Sequence, residues 1–379
     1  MELIAPCHFG LEAVLKRELE DEGWEILQVD DGRVMFRGDE YTAAMANIRL
    51  RTAERVLIRV GEFEAKTYDA LFEGTKALPL EDYLSEDARF WVTKASSVKS
   101  KLFSPSDIQS VMKKAMVERM KIRYNRKHFP EDGAPYPFRV SLKKDMVTVG
   151  LDMSGPSLHK RGYRVSPVIA PISETLAAAI ILLSPWKPGR FLVDPFCGSG
   201  TIPIEAAMMA KHIAPGLNRH FTAEEWPQII DPKVWREVRE EAKSEIISDH
   251  DIGTRLIQGY DIDRNAVKYA RDNAKAAGVE GMIHFQERAV KDLSHPGRYG
   301  FIITNPPYGE RISDRAELPA LYAQIGEAYR GLKDWSMFLI TAYEDAEKYI
   351  GRRAAKNRKI YNGMLKTYLY QYMGPKPGQ

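Results

Sequence analysis

The chain has 379 residues, 44% of them hydrophobic, and 55 Lys and Arg against 52 Asp and Glu. That length suits two or three domains around sizeable cores. No run approaches the ~20 apolar residues of a membrane span, and the first residues have neither the basic flank nor the apolar segment of a secretory signal. Two cysteines far apart, Cys7 and Cys197, build neither a disulfide framework nor a metal-ligand set. The expectation is a cytoplasmic protein with reduced thiols and no metal. The near-neutral total hides a lopsided distribution. Residues 89–165 hold 17 Lys and Arg against 6 Asp and Glu, while the segment before them is acidic and the one after nearly balanced. A basic block of this kind points to a polyanionic partner.

In chain order, residues 10–23 carry helical apolar spacing (Leu11, Val14, Leu15, Leu19) and stop at Gly23. "WEILQV" and "GRVMFRG" read as strands joined by an Asp-Asp-Gly turn, 41–53 as a helix and "RVLIRVGEF" as a strand. These form a small α+β unit over 1–65. "RFWVTKASS" (strand), 105–127 (basic amphipathic helix) and the alternating "FRVSLKKDMVTVGLDMS" (hairpin) form a second unit over 66–165.

The pattern changes from residue 166 onward. "ISETLAAAIILL" is helical, "FLVDPF" is a buried strand, a helix starts at Thr201, and 211–254 is a polar, helical insertion. Strands "RLIQGYDI", "MIHFQE", "FIITNPPY", "SMFLITAY" and "MLKTYLYQYM" follow, with helices over 264–277 and 317–332. Strands alternating with helices predict an α/β domain over 166–379, with a mainly parallel, doubly wound sheet.

Three stretches carry chemistry. In "FLVDPFCGSGTIPIEAA", a strand ends at Asp194 and a glycine loop leads into a helix. Glycine lets a ligand approach the backbone, and a helix start offers free N–H groups. Pro203 stands where a dinucleotide fingerprint needs its third glycine, and no Gly-Lys-Ser/Thr is present, which argues against a pyrophosphate ligand. In "GYDIDRNAV", Asp261 ends the next strand, where a carboxylate can accept both hydrogen bonds of a ribose diol, and Asp263 is assigned as the cap of the following helix. In "TNPPYGER", two prolines stiffen a turn at the carboxyl end of a strand, where ligands bind in open α/β sheets.

Together these stretches resemble class I S-adenosylmethionine-dependent methyltransferases, in the branch with Asn/Asp-Pro-Pro-Tyr/Phe that methylates exocyclic amines of nucleobases. The upstream stretches "GLEAVLKREL", "FEGTKALPLEDYL", "SVKSKLFS" and "LHKRGYR" resemble the ferredoxin-like and THUMP regions of bacterial 23S rRNA guanine-N2 methyltransferases. The resemblance implies a ferredoxin-like domain over 1–65, a THUMP domain over 66–165 and a Rossmann-like methyltransferase domain over 166–379. It implies S-adenosylmethionine as cofactor, S-adenosylhomocysteine as product, and RNA as partner, either 23S rRNA or a ribosome-assembly intermediate. The cofactor would be held by Pro171 and Thr175 at the preceding helix, by Asp194, Pro195, Phe196, Cys197, Gly198, Ser199, Gly200 and Thr201, and by Asp261, Ile262 and Asn305. The family's Asp that meets the adenine amine is replaced by Ala289, which leaves backbone groups or Asp292 for that role. Asn305, Pro306 and Tyr308 would be catalytic. RNA would meet Lys94, Lys99, Lys101, Arg119, Arg123, Arg126, Lys127, Lys160, Arg161 and Arg164, with His128 and His159 on the same surface. Two alternatives stand beside guanine N2: adenine-N6 methylation of DNA or RNA, and a catalytically silent RNA-binding ribosome-assembly factor.

Overall fold

The computed structural model describes residues 1–165, 172–248, 256–309, 315–363 and 365–376. The first half is built on one sheet. Strands β1 (Glu2–Pro6), β2 (Ile26–Asp30), β3 (Arg33–Arg37), β4 (Leu57–Glu64), β5 (Arg89–Val98), β6 (Pro135–Lys143) and β7 (Met146–Asp152) lie in the order β2-β3-β1-β4-β7-β6-β5. Helices α1 (Glu12–Asp21), α2 (Glu40–Arg49), α3 (Tyr68–Lys76) and α4 (Pro105–Tyr124) belong to this half. The 1–65 and 66–165 segments are joined through this sheet, because β4 pairs with β1 (Leu3 opposite Ile58) and with β7 (Ile58 opposite Leu151). The sequence reading found β2 to β7 but missed β1, and it could not show the partner β4 finds 90 residues away. The α4 helix stops earlier than its amphipathic pattern, at Tyr124, where Asn125 turns left-handed at φ 50°.

The second half contains β8 (Leu192–Asp194), β9 (Ile257–Asp261), β10 (Ile283–Glu287), β11 (Phe301–Thr304), β12 (Ser336–Thr341), β13 (Lys356–Asn362) and β14 (Leu365–Tyr372). Their order is β10-β9-β8-β11-β12-β14-β13. The first five run parallel, β14 is antiparallel to β12, and β13 forms an antiparallel edge. Strands β8, β11 and β12 are buried throughout, as expected for parallel strands covered on both faces. One face packs on α5 (Glu174–Leu183), α6 (Thr201–Ala210) and α8 (Arg264–Ala276). The other packs on α9 (Leu318–Gly331) and α10 (Ala346–Ile350). From β8 the chain winds outward through β9 and β10, then returns to β11 on the opposite side. The β8/β11 boundary is therefore the topological switch point, where such sheets open a crevice at their carboxyl edge. This is the α/β doubly wound sheet read from the sequence, with β13 as an additional strand.

The segment after α6 holds α7 (Pro232–Ser244) between α6 and β9 in the chain. It packs on the first sheet rather than the second. Phe221, Trp226, Trp235 and Val238 are buried in the core of the first half. Trp226 stacks on Tyr136 with centroids 5.0 Å apart and donates Nε1–H to the Pro135 carbonyl at 2.8 Å. Burying one such ring contributes about 1.5–3 kcal/mol, so this insertion clamps the two halves together. Arg49 on α2 reinforces it with ion pairs to Glu241 (2.9 Å) and Glu245 (2.7 Å). No helix among the described residues is long and apolar enough to cross a membrane.

Candidate active site

A cavity of about 920 Å³ opens at the carboxyl edge of the second sheet. Asp194, Phe196, Cys197, Gly198, Ser199 and Thr201 line it from the β8–α6 loop, Asp261 and Ile262 from the end of β9, and Asn305–Tyr308 from the turn after β11. The three stretches singled out in the sequence thus meet in one place.

The glycine loop is held from several directions. Gly198 (φ 51°) and Gly200 (φ 84°) adopt left-handed conformations that side chains disfavour. A Cβ on Gly200 would also come within 3.0 Å of Ala270 Cβ and Phe285 Cζ. The Cys197 N–H donates to the Tyr260 carbonyl at 2.9 Å, tying the loop to β9. Buried Asn273, on α8, donates Nδ2–H to the Ser199 carbonyl at 2.9 Å and accepts from Val165 N–H at 2.9 Å. The sequence reading missed Asn273, although a lone amide within the apolar stripe Val267-Ala270-Ala274 was a usable signal.

Two carboxylates shape the floor. Asp194 Oδ1 accepts from Thr304 Oγ1 at 2.6 Å and from Phe196 N–H at 3.1 Å. Burial pushes its pKa up to about 7, and the neighbouring Asp261 charge adds to the rise. Asp261 Oδ2 accepts from Gly198 N–H at 2.9 Å and its Oδ1 from Asp263 N–H at 3.0 Å. Its pKa is also raised by burial. A carboxylate offers about four acceptor positions, so Asp261 keeps capacity for a ligand diol. Asp263 caps α8, accepting from Asn265 N–H at 2.9 Å, as assigned from the sequence.

The Asn305–Tyr308 turn rests on α9. Buried Tyr322 donates its hydroxyl to the Pro307 carbonyl at 3.1 Å and sits 2.5 Å from Thr341 Oγ1. The sequence reading placed a helix over 317–332 but did not single out Tyr322, which lies on its buried side with Leu318 and Ile325. Leu318, Leu321 and Gln324 of the same helix complete the wall.

Several expected site residues lie elsewhere. Pro171 falls outside the described residues. Pro195 and Gly200 are buried behind the loop and do not line the cavity. Thr175 faces away, and its hydroxyl bonds Glu54 of the first half. Asp292 is exposed and does not line the cavity, whereas Ile262, 73% exposed, stands at its mouth.

The basic block divides. Lys94, Lys99, Lys101, Arg123, Arg126, Lys127 and Lys160 are exposed. Arg119 is half-buried against Glu81 (2.9 Å), and Arg126 pairs with Glu86. Arg161 does not belong to that surface. It is 5% exposed, 3.5 Å from buried Glu205, and donates to the Leu158 and Arg51 carbonyls at 2.6 Å. A charge so enclosed is retained because it is paired. Arg164 turns inward as well, donating to Glu174 (3.0 Å), Ser199 Oγ (3.3 Å) and Thr201 Oγ1 (3.4 Å), so it braces the glycine loop. His159 is half-buried against Glu54 at 3.2 Å, while His128 is exposed. Among the described residues, no group of three or more His, Cys, Asp or Glu could hold a metal ion.

Comparisons with known proteins agree with this architecture. Residues 161–371 match the model of the RMKL-like methyltransferase domain, 2–57 that of the RlmL ferredoxin-like domain and 65–152 that of the THUMP domain. YpsC of Bacillus subtilis (strain 168), named as a candidate RNA methyltransferase, is 43% identical over 98% of this chain and 95% of its own length. The ribosomal RNA large subunit methyltransferase K/L of Syntrophotalea carbinolica is 35% identical over 98% of this chain, which spans 53% of that longer protein. The crystal structure of SMU.472, a candidate methyltransferase complexed with SAH, superimposes with a TM-score of 0.91 at 44% identity, over 99% of this chain and 98% of that one. With more than half its length matched by one domain model and relatives alike from end to end, the chain belongs to the RMKL-like methyltransferase family.

Proposed function

We propose that this protein transfers a methyl group from S-adenosylmethionine to the exocyclic N2 amine of a guanine in RNA, with 23S rRNA as the substrate. The observation that carries the reading is a single cavity lined by the glycine loop, Asp261 and the Asn305–Tyr308 turn. A cofactor and a base can meet there. The THUMP match, the rRNA-methylating relative and the exposed lysines of residues 94–127 support RNA as the polyanion.

The cavity residues fit the cofactor. Asp261 retains acceptor positions for a ribose diol, Ile262 offers an apolar face, and the loop from Phe196 to Ser199 gives close backbone approach. When bound, the cofactor supplies an electrophilic methyl group on a sulfonium. The remaining work falls to the chain. A guanine amine is a weak nucleophile because its lone pair is delocalised into the ring. The Asn305 side-chain oxygen and the Pro306 carbonyl can each accept one of its N–H bonds, which favours a pyramidal nitrogen with its lone pair free. Proline stiffness and the Tyr322 hydrogen bond fix the turn in advance, so little reorganisation accompanies the reaction. Tyr308, half-buried at the cavity wall, gives the extruded base a stacking surface. Positioning then supplies most of the acceleration.

The test is methyl transfer from labelled S-adenosylmethionine to purified rRNA and to duplex DNA in parallel. Incorporation into rRNA alone is expected. Incorporation into DNA alone would overturn the RNA assignment, and none into either would favour a silent RNA-binding factor.

A further inference from the structure

A second basic surface lies on the methyltransferase half, far in sequence from the 89–165 block. From Lys348 to Lys376 the chain carries eight Lys and Arg and no Asp or Glu. Much of this stretch is the β13–β14 hairpin; β13 is the last strand of the sheet, and its outer edge meets the His8–Gly10 loop, where Tyr361 N–H donates to the Phe9 carbonyl at 3.3 Å and the Tyr361 carbonyl lies 3.0 Å from His8 Nδ1. One face of the hairpin is committed to the core through Ile360, Thr367 and Leu369. The other is a checkerboard. Lys359 stands opposite Tyr368, and Tyr361 opposite Lys366. Lys359 Nζ lies 4.9 Å from the Tyr361 ring centroid, and Lys366 Nζ 4.9 Å from that of Tyr368. The lysines are exposed and the rings half-buried.

We propose that this face is a second RNA-contacting surface, which grips unpaired nucleotides flanking the target base. The inference rests on RNA being the substrate. Edge strands often carry lysines merely to prevent edge-to-edge pairing. That purpose does not call for tyrosines interleaved with them, nor for the loss of every acid over the whole stretch. Lysines paired with flat aromatic faces suit single-stranded nucleic acid, which offers phosphates and stackable bases together. The surface also leads to the catalytic turn. The Tyr343 and Tyr349 rings stack at 6.1 Å with planes 15° apart, and Tyr343 lies 4.9 Å from Tyr322, the residue that holds the Pro307 carbonyl. Through Tyr343 the aromatic contacts thus reach the residue that holds the catalytic turn.

The experiment compares the full-length wild type with Lys359→Gln/Lys366→Gln and with Tyr361→Leu/Tyr368→Leu. The probes are a labelled single-stranded RNA oligonucleotide and an unmodified 23S rRNA transcript. The lysine variant should bind RNA about tenfold more weakly at low salt, and its log–log salt slope should be shallower by about 1.4 for two lost contacts. The tyrosine variant should lose affinity with the slope unchanged. S-adenosylhomocysteine binding and thermal unfolding should match the wild type in the lysine variant, which shows that the fold is intact. Wild-type affinity and slope in both variants would overturn the proposal and leave the hairpin face merely solvated. A wild type that binds RNA but transfers no methyl to it would overturn the functional reading instead, and the binding comparison would still decide the role of the hairpin.

Discussion

Asp194 offers a test that needs neither cofactor nor substrate. Its carboxyl is buried beneath the glycine loop and titrates at about 7 in the folded protein, against about 3.9 for a free aspartate. Between about pH 4 and 7 the folded state keeps a proton that the unfolded chain releases. Stability therefore falls as pH rises through that window and levels off above it. The full penalty is on the order of 4 kcal/mol, at 1.36 kcal/mol per pH unit. Asp194→Asn keeps the shape and an acceptor for Thr304 Oγ1 and Phe196 N–H, but removes the titration. The new amide N–H has its own mismatch cost, which is the same at every pH and cancels in a comparison. The variant's stability relative to wild type should therefore improve by roughly 2.5 kcal/mol between pH 5 and pH 8. For a unit of this size, that corresponds to a relative gain of about 5–10 °C in Tm. The assay is thermal or denaturant unfolding of both ligand-free proteins at the two pH values. A stability difference that stays constant with pH would refute the claim that Asp194 is held protonated by burial.

Asn305→Ala should cut turnover by about two to three orders of magnitude, the usual loss for one preorganised polar contact, while equilibrium binding of S-adenosylhomocysteine and RNA persists. Tyr308→Phe should stay near wild-type rates, whereas Tyr308→Ala should weaken base capture by up to about 1–3 kcal/mol, read as a higher KM for RNA. Asp261→Ala should abolish S-adenosylhomocysteine binding in calorimetry, because it removes both the diol acceptor and the bond to Gly198 N–H. Charge reversal at Lys99, Lys101 and Arg123 should weaken RNA binding and flatten its salt dependence without altering cofactor affinity, as filter binding at several ionic strengths would show.

The cavity was legible because each of its contributions is contiguous. Asp194 to Thr201, Asp261 to Asp263 and Asn305 to Tyr308 each sit where a strand gives way to a loop, and strand ends can be read from short apolar runs. Residues that act across the fold were not legible. Arg161 reads as a surface cation until Glu205, more than 40 residues on, encloses it. Thr175 sits on the expected helix, yet its hydroxyl is claimed by Glu54 from the first half. Asp292 was a candidate by proximity in sequence, but the short turn over Val290–Asp292 leaves it in solvent. Strand β13 escaped notice because only Ile360 of its seven residues is buried, so it has no alternating signature. The 211–254 insertion showed its helical character, but nothing local indicated that its tryptophans would complete the core of the other sheet.

The central claim is the atom that receives the methyl group. Wild-type protein is incubated with unmodified 23S rRNA and S-adenosylmethionine, the RNA is digested to nucleosides, and the methylated product is identified by mass spectrometry against standards. The account predicts N2-methylguanosine, absent when Asn305→Ala replaces the wild type. N6-methyladenosine would contradict the choice of base, and a fully active Asn305→Ala enzyme would contradict the chemistry assigned to the turn.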